Sequence, residues 1–187
     1  YSYLLDLPEN QDIAKALETA MESIEKYKPE LGGSLPKDEY YRLTRTVETK
    51  SLPFDLLRKF NDIPDDATGD IFGQIYEYFL GKFAMSEGQK GGEFYTPTSI
   101  VRLIVEILEP YHGRILDPAC GSGGMFVQSA RFVEAHQKNP TAEISVHGQE
   151  RVTDTARLAR LNLAVHGLSG EIKQGNTHYE DLQDSVG

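Results

Sequence analysis

Residues 115–127, ILDPACGSGGMFV, place an acid, a proline, a cysteine and three glycines between two apolar runs. RILD before the turn reads as a short buried strand, and residues 124–137 after it read as a helix. A glycine-rich connection between a strand and a helix lets backbone approach a ligand closely and offers it N–H groups. No Gly-Lys-Ser/Thr follows, which excludes a phosphate-binding P-loop, and Phe126 stands where a dinucleotide fingerprint needs its third glycine. Asp117, ending the strand, would repel a pyrophosphate and attract an ammonium group. The expected ligand is therefore adenosine-like and free of phosphate. A plainer reading stays open beside this one: the glycines permit tight packing, and Asp117 is an acid near a helix start.

Outward from the turn, the pattern repeats. In AEISVHGQE, Ile144 and Val146 alternate as in a strand; a helix follows from Thr153 to His166 with Gly167 as its stop, and EIKQGN gives a third strand. Upstream, Thr96 as a cap and Pro97 at the first helical position open a helix carrying Ile100, Leu103, Ile104, Ile107 and Leu108. Strands alternating with helices predict an α/β fold with a parallel sheet. Glu150 ends the second strand, 33 positions after Asp117, where an acid can accept hydrogen bonds from both ribose hydroxyls. S-adenosyl-L-methionine suits this set of groups, having adenine, a ribose, a cationic sulfonium and an amino acid end.

The front of the chain has a different texture. From Asp12 to Tyr27 the residues Ile13, Ala16, Leu17, Ala20, Met21, Ile24 and Tyr27 form one apolar stripe, and shorter helical patterns lie on Leu56, Leu57, Phe60 and Ile63. A third helix carries Ile71, Phe72, Ile75, Tyr76, Phe79, Leu80 and Phe83, all read as helix-packing core. The polar link MSEGQKGGEF sets a boundary near residue 85, dividing a helical domain, 1–85, from an α/β domain, 86–187.

Composition narrows the function classes. Apolar residues make up 39% of 187, enough for a core, and no apolar run approaches the ~20 residues that cross a bilayer. With no charged-then-apolar leader and a single cysteine, the expected location is cytoplasmic, with no membrane contact. A net charge of −10 argues against this stretch holding nucleic acid alone, so DNA as substrate requires other protein to bring it. Cys120 is expected to be a packed small side chain rather than a nucleophile, because Asp117 nearby opposes its ionisation. The histidines 112, 136, 147, 166 and 178 lack metal-ligand spacing, and no metal is implied.

GEFYTPTSIVRLIVEIL, RILDPACGSGGMFV, HGQE and QGNT together resemble the modification (methyltransferase) subunit of type I restriction-modification systems, and LPEN and LGGSLPKDEYY are similar to that family's N-terminal helical domain. The resemblance implies a Rossmann-like S-adenosylmethionine-dependent methyltransferase fold, of which the chain supplies only the first half of the parallel sheet. Glu93, Phe94, Tyr95, Thr96, Pro97 and Thr98 match the segment leading into a helix beside the cofactor's methionine end. Asp117, Ala119, Gly121, Ser122, Gly123 and Gly124 match the cofactor turn, with Asp117 near the amino group. Glu150 matches the ribose acid, and Asn176 with Thr177 falls where related enzymes contact the adenine edge, although Gly175 and Asn176 equally suit a simple turn.

By the same resemblance, the whole subunit transfers methyl from S-adenosylmethionine to N6 of adenine in DNA, with a specificity subunit, a restriction subunit and a second modification subunit as partners. The Asn/Asp-Pro-Pro-aromatic segment that would hold the target amine is expected beyond Gly187, so no catalytic residue is assigned here and the stretch alone is expected to be inactive. In this fold the first strand should pair with a further strand on its far side. A related self-contained restriction or phage-defence methyltransferase, or a non-catalytic adaptor, are the alternative readings.

Overall fold

The computed structural model describes residues 1–8, 11–63, 71–86 and 95–183. It divides into two compact units, Tyr1–Gly69 and Asp70–Gly187. The division precedes the polar link at 85 because the helix Ile71–Ser86 joins the second unit.

The first unit contains the helices α1 (Ser2–Leu5), α2 (Ile13–Tyr27), α3 (Glu39–Leu43) and α4 (Leu52–Asn61). Asp12 starts α2 as its N-cap, its carboxylate accepting from the backbone N–H of Ala14 at 3.0 Å and of Lys15 at 3.1 Å. The apolar stripe of α2 turns Ile13 and Leu17 onto Leu4 and Leu7, with Phe54 and Leu57 of α4 packed against them. Glu25 fixes the turn that follows by accepting from Leu35 N–H at 3.1 Å and Lys37 Nζ at 2.7 Å.

In the second unit, α5 (Ile71–Ser86) and α6 (Thr98–Leu108) precede β1 (Gly113–Asp117), α7 (Gly124–Ala135), α8 (Pro140–Glu143), β2 (Ile144–Glu150), α9 (Thr153–Val165) and β3 (Gly170–Gln174). The three strands form a parallel sheet in the order β1-β2-β3, with Asp117 opposite Gly148 and Glu150 opposite Gln174. The register brings Asp117 and Glu150 to the same end of adjoining strands, as the α/β reading requires. Phe126 of α7 is fully buried among Val146, Ile172, Ala156, Ala159 and Leu163, which lock α7 and α9 to the sheet. Gly148 is a close approach within this core: a Cβ there would lie 2.6 Å from Ile172 and 2.9 Å from the Cys120 sulfur. Among the described residues, no helix is long and apolar enough to cross a membrane.

Three burial expectations are corrected. On α5 the buried positions are Gly73, Leu80 and Ala84, whereas Phe72, Phe79 and Phe83, read as core, are exposed. This helix is apolar nearly all round, so hydrophobicity alone does not mark its inner face, and the small residues lie where it is buried. On α6 the buried pair is Val101 and Val105, packed on Phe132 and Met125, while Ile100, Leu103, Ile107 and Leu108 of the expected stripe are exposed. β1 is not a buried strand: it pairs with β2 on one side, it is an edge among the described residues, and Leu116 is exposed. Thr96 is also not the cap of α6. Pro97, with ψ of 132°, holds that place, and the helix begins one residue later at Thr98.

Candidate functional site

The turn between β1 and α7 is built on two left-handed glycines, Gly121 at φ +54° and Gly123 at φ +80°. Side chains other than glycine pay for that backbone region in strain, which explains the residue type at both positions. The N–H groups of the turn divide into two sets. Ala119 N–H donates to Asp117 Oδ1 at 3.0 Å, Cys120 N–H to the Gln149 carbonyl at 3.1 Å, Gly121 N–H to Glu150 Oε2 at 3.1 Å, and Gly123 N–H to the Cys120 carbonyl at 2.8 Å. Those of Ser122, Gly124 and Met125 make no hydrogen bond within the described residues. These three residues line an open cleft.

Asp117 forms part of the same cleft, with Tyr95, Thr96 and Thr98 from the start of α6. Burial pushes the Asp117 carboxyl above its ordinary value; the Ala119 N–H opposes the shift and the Glu150 charge adds to it. Such a carboxylate is stabilised by a cation brought beside it. Tyr95 Oη lies 3.5 Å from the Thr98 hydroxyl, so the phenol bends back over the helix start. Pro97 stiffens this entry and is not itself among the lining residues. Glu93 and Phe94, also expected at the site, lie outside the described residues.

Glu150 reaches the turn from β2. Besides holding Gly121, its Oε1 accepts from Val152 N–H at 2.8 Å, so one carboxylate clamps the turn and the start of the α9 connection. An ionised carboxylate has about four acceptor positions, which leaves two for a ligand. Glu150 lines a second cavity with Ala119, Asn176 and Thr177; Ala119 also borders the first cleft, so the two adjoin across the turn. Asn176 forms the simple turn that its sequence allowed, Oδ1 accepting from His178 N–H at 3.1 Å, and Thr177 donates its hydroxyl to the Pro118 carbonyl.

Cys120 is 5% exposed within the core, and its thiol is pushed up to about 12, by burial first and then by Asp117 and Glu150. It is a packed small side chain.

The sequence reading missed several lining residues. Glu77 and Leu80 come from α5, Val101 and Ile104 from α6, Gln128 from α7 and Asn162 from α9. Glu77 accepts from Arg131 Nη1 at 3.0 Å, which ties α5 to α7. A lone acid inside the aromatic run IYEYF and a lone Asn inside ARLNLAV were the available signals, since polar residues on packed helix faces need a reason.

Comparison with known proteins gives this site a lineage. The type I restriction enzyme HindI methylase subunit of Haemophilus influenzae is 41% identical over 170 residues, covering 88% of this chain and 38% of that protein. The MjaIX methylase subunit of Methanocaldococcus jannaschii is 35% identical over 185 residues, covering 97% of this chain and 32% of that protein. In three dimensions, the type I restriction-modification system methyltransferase subunit from Streptococcus thermophilus matches with a TM-score of 0.62 at 28% identity, over 77% of this chain and 32% of that one. The chain thus spans about a third of the length of these relatives. The architecture is the Rossmann-like fold of the methyltransferases. The family model for N-6 DNA methylases matches residues 67–186, from just before α5 to past β3, taking in every element that builds the cleft, and the chain belongs to that family.

Proposed function

We propose that the second unit binds S-adenosyl-L-methionine, and that the full-length protein is the modification subunit of a type I restriction-modification system, methylating N6 of adenine in DNA. The observation that carries the cofactor assignment is the pairing, in one cleft, of the half-buried Asp117 carboxylate with the N–H groups of Ser122, Gly124 and Met125, which make no hydrogen bond among the described residues. An amino acid end carries both complementary charges: the ammonium suits Asp117, and the carboxylate suits the N–H groups at the start of α7. The adjoining cavity offers Glu150 to the ribose hydroxyls and Asn176 to the adenine edge. Two carboxylates at one end of the sheet disfavour a polyphosphate or a pyrophosphate coenzyme.

When bound, the cofactor supplies an electrophilic methyl group. The part of this chain in the reaction is to hold and orient the donor; Tyr95, Thr96 and Thr98 border its amino acid end, and Glu93 and Phe94 are assigned there with them. DNA, a specificity subunit, a restriction subunit and a second modification subunit are the partners of the whole assembly, which operates in the cytoplasm. The net charge of −10 fits this division of labour, because sequence reading then rests on a partner.

Isothermal titration of the chain with S-adenosylhomocysteine tests the assignment. Saturable heat with it, and none with NADH or ATP, is expected; saturation by either nucleotide coenzyme with no response to S-adenosylhomocysteine overturns it. For the reaction, the full-length protein with its specificity subunit should transfer labelled methyl groups to DNA that digest to N6-methyladenine. Label appearing only as N4-methylcytosine would correct the target base.

A further inference from the structure

Asn162 is 2% exposed, sits on α9, and reaches across forty residues of sequence to the glycine turn, where Nδ2 donates to the Ser122 carbonyl at 2.8 Å. A carbonyl only accepts, so this bond decides which way the amide faces. Its Oδ1 is consequently buried without a partner among the described residues. The backbone of Asn162 is held as firmly, its carbonyl accepting from His166 Nδ1 at 2.8 Å.

Ser122 lies between the two left-handed glycines, the residues best able to let a peptide rotate. Because a peptide unit is planar, holding the Ser122 carbonyl on α9 also fixes the following N–H, which donates to the Cys120 carbonyl at 2.8 Å. Rotation of that unit would break both bonds and turn an acceptor away from α9, in a stretch where the N–H groups of Ser122, Gly124 and Met125 make no hydrogen bond among the described residues. Asn162 lines the cleft that holds Asp117 and does not line the cavity that holds Glu150 and Asn176.

We infer that Asn162 is a positioning residue for the amino acid end of the ligand: it holds the glycine turn in the form that accepts a carboxylate, and leaves the nucleoside end unaffected. This rests on the cofactor reading above.

The test compares the chain with Asn162→Asp and Asn162→Ser by titration with S-adenosylhomocysteine and, by competition, with 5′-methylthioadenosine, which keeps the nucleoside and lacks the amino acid. Amide hydrogen exchange of the turn is followed without ligand. Both variants should lose about tenfold or more in affinity for S-adenosylhomocysteine, the scale of one buried hydrogen bond, while affinity for 5′-methylthioadenosine changes by less than about twofold. Exchange at the Gly123 amide, the hydrogen-bonded N–H of the unit that Asn162 holds, should accelerate. Equal losses for both ligands would show a residue that merely supports the fold, and would overturn the inference, as would unchanged S-adenosylhomocysteine affinity in either folded variant. If the unaltered chain binds neither ligand, the cofactor reading fails. Exchange then decides separately whether Asn162 holds the turn, and unchanged rates in a folded variant overturn that too.

Discussion

Replacing Glu150 by Gln changes one oxygen to a nitrogen at the point where β2 grips the cofactor turn. In the native chain the two carboxylate oxygens accept separately, from Gly121 N–H at 3.1 Å and Val152 N–H at 2.8 Å. A Gln amide has one oxygen, so it can serve one of these donors and must present its NH2 to the other. Hydrogen bonds to a charged group contribute about 1.5–3 kcal/mol each, and neutral ones about 1 kcal/mol. The substitution therefore removes about 2–5 kcal/mol of gross interaction, and because Glu150 is only half-buried, water recovers part of it. A net loss of about 2 kcal/mol is expected, which lowers the Tm of a chain this size by about 4–8 °C. Thermal melting measures the total, and hydrogen exchange places it: the bonded amides of the turn, Ala119, Cys120, Gly121 and Gly123, should exchange faster while those of α2 stay unchanged. A variant that melts within about 1 °C of the native chain, with unaltered exchange at the turn, would refute the clamp.

The Asp117 carboxyl is raised above its ordinary value by folding, so its contribution to stability is present below the unfolded pKa and is lost as pH rises through the folded one. Asp117→Asn, which retains an oxygen for the Ala119 N–H, should accordingly raise Tm at pH 7, lose that advantage near pH 4, and abolish S-adenosylhomocysteine binding by titration. Cys120, its thiol pushed up to about 12, should react with a disulfide reagent at pH 8 on the order of a thousandfold more slowly in the folded chain than in urea. Gly123→Ala forces a β-carbon onto a backbone at φ +80° with only ordinary contact, 3.6 Å, to Ala159, so strain alone should cost about 1–2 kcal/mol in a denaturant melt.

The parts of the fold legible in the sequence are those fixed by local constraints. The glycine-rich turn between β1 and α7 is legible because Gly121 and Gly123 take a left-handed backbone that admits few other residues, and β2 because Ile144 and Val146 alternate inward. Asp12 heads α2 because its side chain caps its own helix. What escaped depends on neighbours far along the chain. The aromatic stripe of α5 looked like core, yet a helix apolar on most sides reveals its inner face only through what packs there, and that face carries Gly73, Leu80 and Ala84. The same holds for β1, whose Ile-Leu pair reads as buried until its pairing on one side alone is seen. At the site, Asp117 and Glu150 were found from strand ends, whereas Glu77 and Asn162 were not, because their partners Arg131 and Ser122 lie 54 and 40 residues away.

Glu150 shows why the acids of this site need both readings. A ribose acid inferred from its place at a strand end suggests a side chain waiting in solvent, but each of its oxygens is already bound to backbone. The carboxylate is thus part of the scaffold whose shape it serves, and its free acceptor positions are aimed by bonds that exist before any ligand arrives. Asp117 and Asn162 have the opposite character. One is a carboxyl whose charge burial disfavours, the other an amide whose oxygen has no partner among the described residues. At Asp117 folding alone would be better served by a neutral group, whereas at Asn162 the unmatched oxygen, a cost of about 1–3 kcal/mol, accompanies the bond that holds the Ser122 carbonyl. The cost at Asp117, set beside the clamps that hold the other N–H groups of the glycine turn, is one that the cationic ligand proposed above would relieve.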